Sequence, residues 1–276
     1  MKTQIIAEIG INHNGDINIC KKLMLLSKVA GFDYVKIQKR SPNDCVPEEQ
    51  KKKRKQTPWG EMSYLEYKHK IEFNESQIQE LYKYAKEIDI ELFASVWDLK
   101  SCRLMAKYTT IGKIGSALIT NIELCKLARK LFKTLIISTG MSSQEEIDFC
   151  ISACDPDVIM HSNSCYPSKV SDLNLNYIKW LQKKYPHKQI GYSGHEHGLV
   201  TTFAAAAIGA KFIERHISLD RNMWGSDQKS SVMPVGIFKL VKGIRAIESA
   251  TQYKPQKRIL FEGELKKRES LRKTKY

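Results

Sequence analysis

Short runs of apolar residues alternate along the chain with longer segments in which apolar residues recur every three or four positions. The short runs are typical of buried strands, and the longer segments are typical of amphipathic helices. The predicted strands are Ile5–Ile9, Tyr34–Gln38, Glu91–Val96, Ile111–Ser116, Leu135–Thr139, Val158–His161, Gln189–Ser193 and Phe212–Leu219. The predicted helices include Asn18–Ala30, Glu75–Ile88, Ile122–Leu131, Gln144–Ala153, Leu175–Lys184, Leu199–Ile208 and Val235–Ala250.

This alternation predicts parallel strands joined by right-handed crossovers. Eight such strands can close into a barrel, and a chain of 276 residues has the length of one such domain. An open doubly wound sheet is the alternative, but no GxGxxG turn follows a predicted strand. The sequence therefore predicts an α/β fold with a single (β/α)8 TIM barrel over residues 1–250. A basic C-terminal extension is predicted over residues 251–276.

The longest connection, from Arg40 to Asn74, follows the second predicted strand. Connections of this length inside a compact domain are usually lids or binding loops. The basic run Lys51–Lys55 falls within it and is predicted to lie in a polar loop.

Composition narrows the class of protein. No apolar stretch approaches the roughly 20 residues that a membrane span needs, and the N-terminus lacks the pattern of a signal peptide. The seven cysteines are scattered and contain no CxxC pair, which predicts reduced thiols. We therefore expect a cytoplasmic globular protein without membrane contact.

The formal net charge of +15 raises the question of a nucleic-acid partner. Much of this charge is concentrated in Lys51–Lys55 and in the tail from Lys254 onward, without an accompanying aromatic–basic motif. Attraction of small anionic substrates is the preferred interpretation, and nucleic acid is not expected as a partner.

Polar and ionisable residues cluster at the predicted strand ends, where barrel enzymes carry their catalytic groups. Burying unpaired charge is costly, so this concentration indicates a functional site and not a core. The residues at or just after the strand ends are Glu8, Lys36, Gln38, Ser95, Lys113, Ser116, Ser138, Ser164, Tyr166, Ser193, His195, Glu214 and His216.

The residue types suggest two kinds of ligand. Two lysines can supply positive charge to a phosphate or carboxylate, with hydroxyl donors beside them at Ser116, Ser138, Ser164 and Ser193. His195 and His216 follow neighbouring strands and can bind one divalent metal through neutral imidazoles. His197 is a further candidate ligand, although we expect it to lie in the loop.

Ordered motifs along nearly the whole predicted barrel resemble the N-acetylneuraminate (sialic acid) synthase family, which includes legionaminic and pseudaminic acid synthases. The matching segments are AEIGINHNGD (7–16), VKIQ (35–38), KIGS (113–116), ISTGMSS (137–143), HSNSCYPS (161–168), IGYSGHEHG (190–198) and GAKFIERHISLDRNMWGSDQKSSVMP (209–234).

The resemblance implies a metal-dependent enzyme, using Mn²⁺ or Mg²⁺, that condenses phosphoenolpyruvate with an N-acyl hexosamine such as N-acetylmannosamine. It implies a nine-carbon 2-keto sugar acid and phosphate as products. Matched to the motifs, the phosphoenolpyruvate contacts are Lys36, Lys113, Ser116, Ser138, Ser164 and Ser193. The implied sugar contacts are Gln38, Tyr166 and Asp227. Glu8 is the implied catalytic acid/base, and His195 and His216 are the implied metal ligands.

Three departures from the family pattern stand out. Leu118 occupies a position where the family usually has an acid. Gly194 and Glu196 replace the aspartate and threonine of the usual Ser-Asp-His-Thr segment, and Glu196 or His197 is a candidate to compensate for this change. The sequence stops at Tyr276, without the antifreeze-like domain that reaches over a partner's barrel in relatives. A homodimer and a separate antifreeze-like domain protein are therefore the expected macromolecular partners.

Two alternative functions stay open at this point. One is a related phosphoenolpyruvate–aldose condensing enzyme that uses a phosphorylated or different sugar. The other is a non-catalytic or partner-dependent ligand-binding barrel, which Leu118 and the missing domain motivate.

Overall fold

The computed structural model describes residues 2–253 and 257–274, and its strands form a closed parallel barrel with a separate hairpin. The strands are Gln4–Gly10 (β1), Tyr34–Lys39 (β2), Arg54–Thr57 (β3), Gly60–Ser63 (β4), Glu91–Val96 (β5), Ile111–Ile114 (β6), Thr134–Ser138 (β7), Val158–Ser162 (β8), Gln189–Gly194 (β9) and Phe212–His216 (β10). Strands β3 and β4 pair antiparallel outside the barrel, and the remaining strands close it in the order β1-β2-β5-β6-β7-β8-β9-β10. The predicted TIM barrel is confirmed.

Helices follow the barrel strands along the chain, and those that pack on the barrel cover its outside. They are Ile17–Ala30 (α1), Pro42–Cys45 (α2), Glu48–Lys51 (α3), Tyr64–Ile71 (α4), Glu75–Glu87 (α5), Leu99–Met105 (α6), Ile122–Leu131 (α7), Gln144–Cys154 (α8), Asn176–Lys184 (α9), Val200–Ala207 (α10), Pro234–Ala250 (α11) and Glu262–Leu271 (α12). Local caps fix several boundaries. The Asp16 carboxylate accepts from the first backbone N–H groups of α1, and Asn74 and Ser143 form capping boxes at α5 and α8.

Two predicted strands end at least two residues earlier than expected, and β7 ends one residue early, at Ser138. Strand β6 stops at Ile114 because Ser116 begins a short 3₁₀ turn. Strand β10 stops at His216 because the chain then forms an isolated bridge between Ile217 and Val232. In both cases the polar segment after the strand folds over the mouth of the barrel.

The period-two alternation of the strands divides the apolar residues into two cores. Residues that point outward pack under the helices, while the inward-pointing set fills the middle of the barrel: Ile6, Phe93, Ile136, Val158, Met160 and Phe212. Gly191 makes room for this set, because a Cβ there would lie 2.8 Å from Cβ of Phe212. The polar strand ends therefore rest on a solid apolar plug.

The segment 40–74, which we call the lid, is structured throughout and not a simple loop. It contains α2, α3, the β3–β4 hairpin and α4. The prediction that Lys51–Lys55 lies in a polar loop holds for Lys52 and Lys53 but was wrong for the other three residues, because Lys51 ends α3 and Arg54 and Lys55 begin β3. The alternation of the hairpin explains this, since Arg54 is exposed while the amine of Lys55 lies 4.9 Å from the ring centroid of Tyr67.

All seven cysteines are free, and three of them meet between α7 and α8, where the sulfur of Cys150 lies 3.8 Å from Cys125 and 3.9 Å from Cys154. Within the described ranges, every helix is too short or too polar to cross a bilayer. Helix α12 is exposed along its whole length, whereas residues 254–256 and 275–276 of the predicted extension lie outside the described residues.

Candidate active site

A cavity of about 350 Å³ opens at the carboxyl ends of the barrel strands. It forms because inward-facing positions one step above the apolar plug carry polar side chains. All the predicted site residues line it: Glu8, Lys36, Gln38, Lys113, Ser116, Ser138, Ser164, Tyr166, Ser193, His195, His216 and Asp227. Tertiary structure therefore brings together every residue predicted to contact phosphoenolpyruvate, the sugar or the metal, and the predicted acid/base Glu8.

The floor of the cavity is a network of buried ion pairs. Nζ of Lys36 lies 2.6 Å from Oε2 of Glu8, and Nζ of Lys113 lies 2.6 Å from Oε1 of Glu214. The Ser193 hydroxyl donates to the same Glu214 oxygen at 3.0 Å. Burial raises the pKa of the Glu214 carboxyl, but the two lysine charges outweigh this effect and hold its pKa at about 2. The floor therefore presents two fixed ammonium groups next to two carboxylates.

Serine hydroxyls gather around the backbone of Gly140, just after β7. The Gly140 N–H donates to Ser116 at 3.0 Å and to Ser162 at 3.1 Å. A Cβ at Gly140 would lie 2.2 Å from the Ser164 hydroxyl oxygen, so only glycine allows this close approach. The hydroxyl of Ser138 is buried, and in the part of the chain that the structure describes it has no hydrogen-bond partner. Such a concentration of short donors suits the oxygens of a phosphate or carboxylate.

The two histidines face each other across the cavity, with ring centroids 5.4 Å apart. Nδ1 of His195 lies 2.6 Å from the backbone oxygen of Asn163, so it donates there and leaves Nε2 as the lone-pair donor. Burial lowers the pKa of His195 to about 3, with a further contribution from His216, so the imidazole is neutral. Nδ1 of His216 is buried, has no hydrogen-bond partner among the described residues, and lies 3.7 Å from Oδ2 of Asp227.

This donor set fits a first-row divalent cation. Neutral imidazoles and a carboxylate oxygen are suitable ligands, and an orphaned buried nitrogen is satisfied when a metal binds it. Among the described residues, one group of three histidine, cysteine or carboxylate donors lies within 4.8 Å of one another: Cys125, Cys150 and Cys154. In that part of the chain, His195 and His216 belong to no such group of three. The histidine pair therefore leaves coordination positions for substrate and water, as open catalytic sites do.

Gly10 allows three of the polar groups to converge. Its φ of +57° is in the left-handed region, and a Cβ there would lie 3.2 Å from atoms of Glu8, His216 and Asp227. Glycine at the end of β1 is therefore required both by the backbone conformation and by the crowding of side chains around it.

Sequence reasoning missed several cavity residues. Ser162 was predicted only as part of a motif, although its inward position follows from alternation with Met160 on β8. Arg40, Lys68 and Trp97 come from the lid and from the end of β5. No local signal marks them, because the folding of the lid over the barrel determines which of its residues reach the cavity.

Glu196 and His197 do not compensate for the departures of the sequence. Glu196 is fully buried outside the cavity, where Arg215 forms an ion pair with it at 3.2 Å. His197 is exposed in the loop after β9, which confirms the prediction that it lies there. Leu118 does line the cavity and gives it an apolar wall beside Ala117 where the family pattern has an acid.

Residues 23–256, most of the chain, match the NeuB family. The chain belongs to this family. The resemblance that its motifs indicated is thereby confirmed. The match extends from α1 through the lid and every later strand of the barrel to the residues just beyond α11.

Two curated relatives are about a third identical to this NeuB family member over the aligned residues. The N,N'-diacetyllegionaminic acid synthase of Campylobacter jejuni is 35% identical over 90% of this chain and 77% of its own. The human N-acetylneuraminate-9-phosphate synthase is 34% identical over 93% of this chain and 73% of its own. Among solved structures, the N-acetylneuraminic acid synthetase of Leptospira borgpetersenii, in complex with citrate, superposes with a TM-score of 0.86 at 28% identity. It covers 99% of this chain and 94% of its own.

Proposed function

We propose that the protein condenses phosphoenolpyruvate with the open-chain form of an N-acyl hexosamine, giving a nine-carbon 2-keto sugar acid and phosphate. The observation that carries this proposal is the presence, in one cavity, of a lysine–serine anion site beside a histidine pair. The names of the curated relatives, which are synthases of nine-carbon sugar acids, support the same reaction class.

Phosphoenolpyruvate is proposed to bind on the cavity floor. Its phosphate and carboxylate would take hydrogen bonds from the two buried ammonium groups and from the serine cradle. The residues in this role are Lys36, Lys113, Ser116, Ser138, Ser164 and Ser193. Lys36 and Lys113 already pair with Glu8 and Glu214, so a bound anion would share the two ammonium groups with these carboxylates.

The proposed metal ligands are His195 and His216, with Mn²⁺ or Mg²⁺ as the cation. When bound, the metal supplies Lewis-acid polarisation of the sugar aldehyde. The residues around it hold the imidazoles in the required state: the Asn163 carbonyl fixes the tautomer of His195, and the Tyr166 ring lies 4.1 Å from the His195 ring, centroid to centroid.

The sugar is proposed to lie across Gln38, Tyr166 and Asp227. The enol carbon of phosphoenolpyruvate attacks the aldehyde carbon, a C–C bond forms, and water adds to the cationic C2 that results. Loss of phosphate from the tetrahedral carbon then leaves the keto group. Glu8 is suited to move the proton of that water, because its carboxylate is buried, lies within 2.6 Å of Lys36 and accepts from Gln38 at 3.2 Å.

Phosphate release tests the proposal directly. The protein is incubated with phosphoenolpyruvate, Mn²⁺ and a panel of N-acyl hexosamines, with EDTA as the control. Sugar-dependent phosphate release that EDTA abolishes is the expected result. Absence of sugar-dependent release across the panel would overturn the proposal.

Leu118 favours a second candidate, a barrel that binds the substrates without turning them over. An apolar wall where the family pattern has an acid removes one polar contact from the site. Calorimetry separates the two functions, since phosphoenolpyruvate binding without turnover supports the second. Addition of an isolated antifreeze-like domain to the same assay tests the expected partner, and light scattering tests the expected homodimer.

A further inference from the structure

Three cysteines from two helices meet between α7 and α8, away from the cavity: Cys125, Cys150 and Cys154, which we call the thiol triad. Cys150 and Cys154 lie one helical turn apart on α8, so their side chains share one face of that helix. Cys125 comes from the start of α7. All three are buried, and Cys154, the most exposed of them, is 2% exposed. None of these three residues lines the cavity of the candidate active site.

The sulfur atoms are spaced like the ligands of a single metal ion. Sγ of Cys150 lies 3.8 Å from Sγ of Cys125 and 3.9 Å from Sγ of Cys154, and the three atoms all lie within 4.8 Å of one another. Two thiolates on one tetrahedral zinc ion, each with a bond of about 2.3 Å, are about 3.8 Å apart. A cation among the three sulfurs therefore requires little movement of the two helices.

Backbone oxygens beside Cys125 offer a fourth ligand. The Cys125 thiol donates to the carbonyl oxygens of Leu118 and Ile119, each 3.7 Å from its sulfur. A sulfur and an oxygen ligand of one tetrahedral zinc ion are about 3.6 Å apart. Because the Leu118 oxygen already accepts from the Asn121 N–H at 3.0 Å, Ile119 is the better candidate for the fourth position.

The surroundings partly compensate the charge that such an ion leaves. A divalent cation on three thiolates carries a single net negative charge, and a buried charge is costly unless it is paired. Arg129 of α7 reaches across to the end of α8, where its guanidinium donates to the backbone oxygen of Asp155 at 3.3 Å. Hydrogen bonds from Cys125 and Cys150 lower the pKa of the Cys154 thiol against the effect of burial, and the charge of Arg129 adds to this lowering.

We propose that the thiol triad binds one divalent thiophilic cation such as Zn²⁺, held by the three thiolates and the Ile119 carbonyl. This site is independent of the proposed condensation. Thiolates select zinc over manganese, so the triad and the histidine pair take different metals. Binding releases the thiol protons to solvent and ties α7 to α8. The ion enters at the end of α8, because Cys154 is the last residue of that helix and is followed by the exposed Asp155.

Titration of the reduced protein with Cd²⁺ tests the proposal, because cadmium binds thiolates as zinc does and cadmium–thiolate bonds absorb in the ultraviolet. This absorption should saturate at one Cd²⁺ per chain. Zn²⁺ should reverse it, whereas Mn²⁺ at the same concentration should not. A cation on His195 and His216 does not contribute, because imidazole and carboxylate ligands lack the thiolate absorption.

Cys150→Ala removes the central sulfur and should weaken Cd²⁺ binding by at least about a hundredfold. Cys150→Ser keeps the shape of the side chain but replaces the soft sulfur with oxygen, so it should weaken binding similarly. Cys102→Ala is the matched control, because Cys102 is 0% exposed like Cys150 but lies outside the triad. Cys165→Ala removes the exposed thiol. Both of these variants should bind Cd²⁺ as the wild type does.

Metal-free thermal melts of Cys150→Ala and Cys102→Ala, which each lack one buried sulfur, should agree. Cys154→Ala, at the exposed end of α8, gives the same test should Cys150→Ala fail to fold. Absence of thiolate absorption at one equivalent of Cd²⁺ would overturn the proposal and leave the triad as packed apolar side chains. Unchanged affinity in the triad variants, or an equal loss in Cys102→Ala or Cys165→Ala, would overturn it as well.

Discussion

Replacement of Arg215 by methionine should destabilise the protein in a strongly pH-dependent way. Arg215 is 1% exposed and Glu196 is 0% exposed, and the two side chains meet between β10 and the start of α10. The guanidinium also donates to the backbone oxygen of Gly198 at 2.8 Å and to the Thr202 hydroxyl at 2.6 Å. Methionine fills similar space but removes the charge and all of these donors.

The magnitude follows from what happens to the stranded carboxylate. Glu196 keeps hydrogen bonds from Tyr192, Thr201 and Thr202, but it loses its only cationic contact among the described residues. Protonation limits the cost: at about 1.36 kcal/mol per pH unit, neutralising a glutamate of pKa about 4.3 at pH 7 costs about 3.7 kcal/mol. With about 1 kcal/mol for lost hydrogen bonds, the free energy of unfolding should fall by about 4–5 kcal/mol, within the range for broken buried pairs.

The sign of the pH dependence is also determined. In the wild type, burial raises the pKa of Glu196, but Arg215 and the hydrogen bonds outweigh this and lower it overall. The contribution of the pair is therefore present above the ordinary glutamate pKa and is lost as the pH falls through the lowered value. In Arg215→Met the carboxyl pKa is raised instead, so the destabilisation should shrink to about 2 kcal/mol at pH 5.

Urea denaturation of the wild type and Arg215→Met at pH 7 and pH 5 measures this directly. The double variant Arg215→Met/Glu196→Gln removes the stranded charge and should recover about 2–3 kcal/mol of the loss at pH 7. A destabilisation of equal size at both pH values, or a double variant less stable than Arg215→Met, would refute the reasoning.

Three further predictions concern the cavity and its surroundings. His216→Ala should abolish Mn²⁺-dependent phosphate release and the stabilisation by Mn²⁺, about 2.7 kcal/mol at a hundredfold excess over Kd, in a thermal melt, while the metal-free melt stays near that of the wild type. Gly140→Ala should raise KM for phosphoenolpyruvate more than about tenfold, because its Cβ would displace the Ser164 hydroxyl. Glu196→Gln should bind Mn²⁺ with unchanged affinity in calorimetry, because this carboxylate lies outside the cavity; a lost heat signal would make it a ligand.

Local pattern was sufficient for the architecture. The apolar runs of β1 and β10 and the amphipathic helices between strands are read over a few residues, because strand and helix each repeat at a fixed short period. The same periodicity placed Glu8, Lys36 and Lys113 on inward positions at strand ends. Because the carboxyl ends of all strands of a parallel barrel lie on one face, these side chains meet there. Family motifs then indicated a role for each.

Which side chains each of these residues contacts was decided by closure of the barrel and by packing of the lid. Glu196 directly follows the proposed metal ligand His195 in sequence, yet its side chain faces the helices. Neighbouring residues of an extended segment point to opposite sides, and on the outer side Glu196 pairs with Arg215. The local sequence does not identify Lys68 as a cavity residue, because only the fold of residues 40–74 over the barrel brings this side chain to the cavity. Periodicity specifies which side of an element a residue occupies, whereas its neighbours there are decided by chain segments far away in sequence, as where β1 and β10 pair Glu8 with His216.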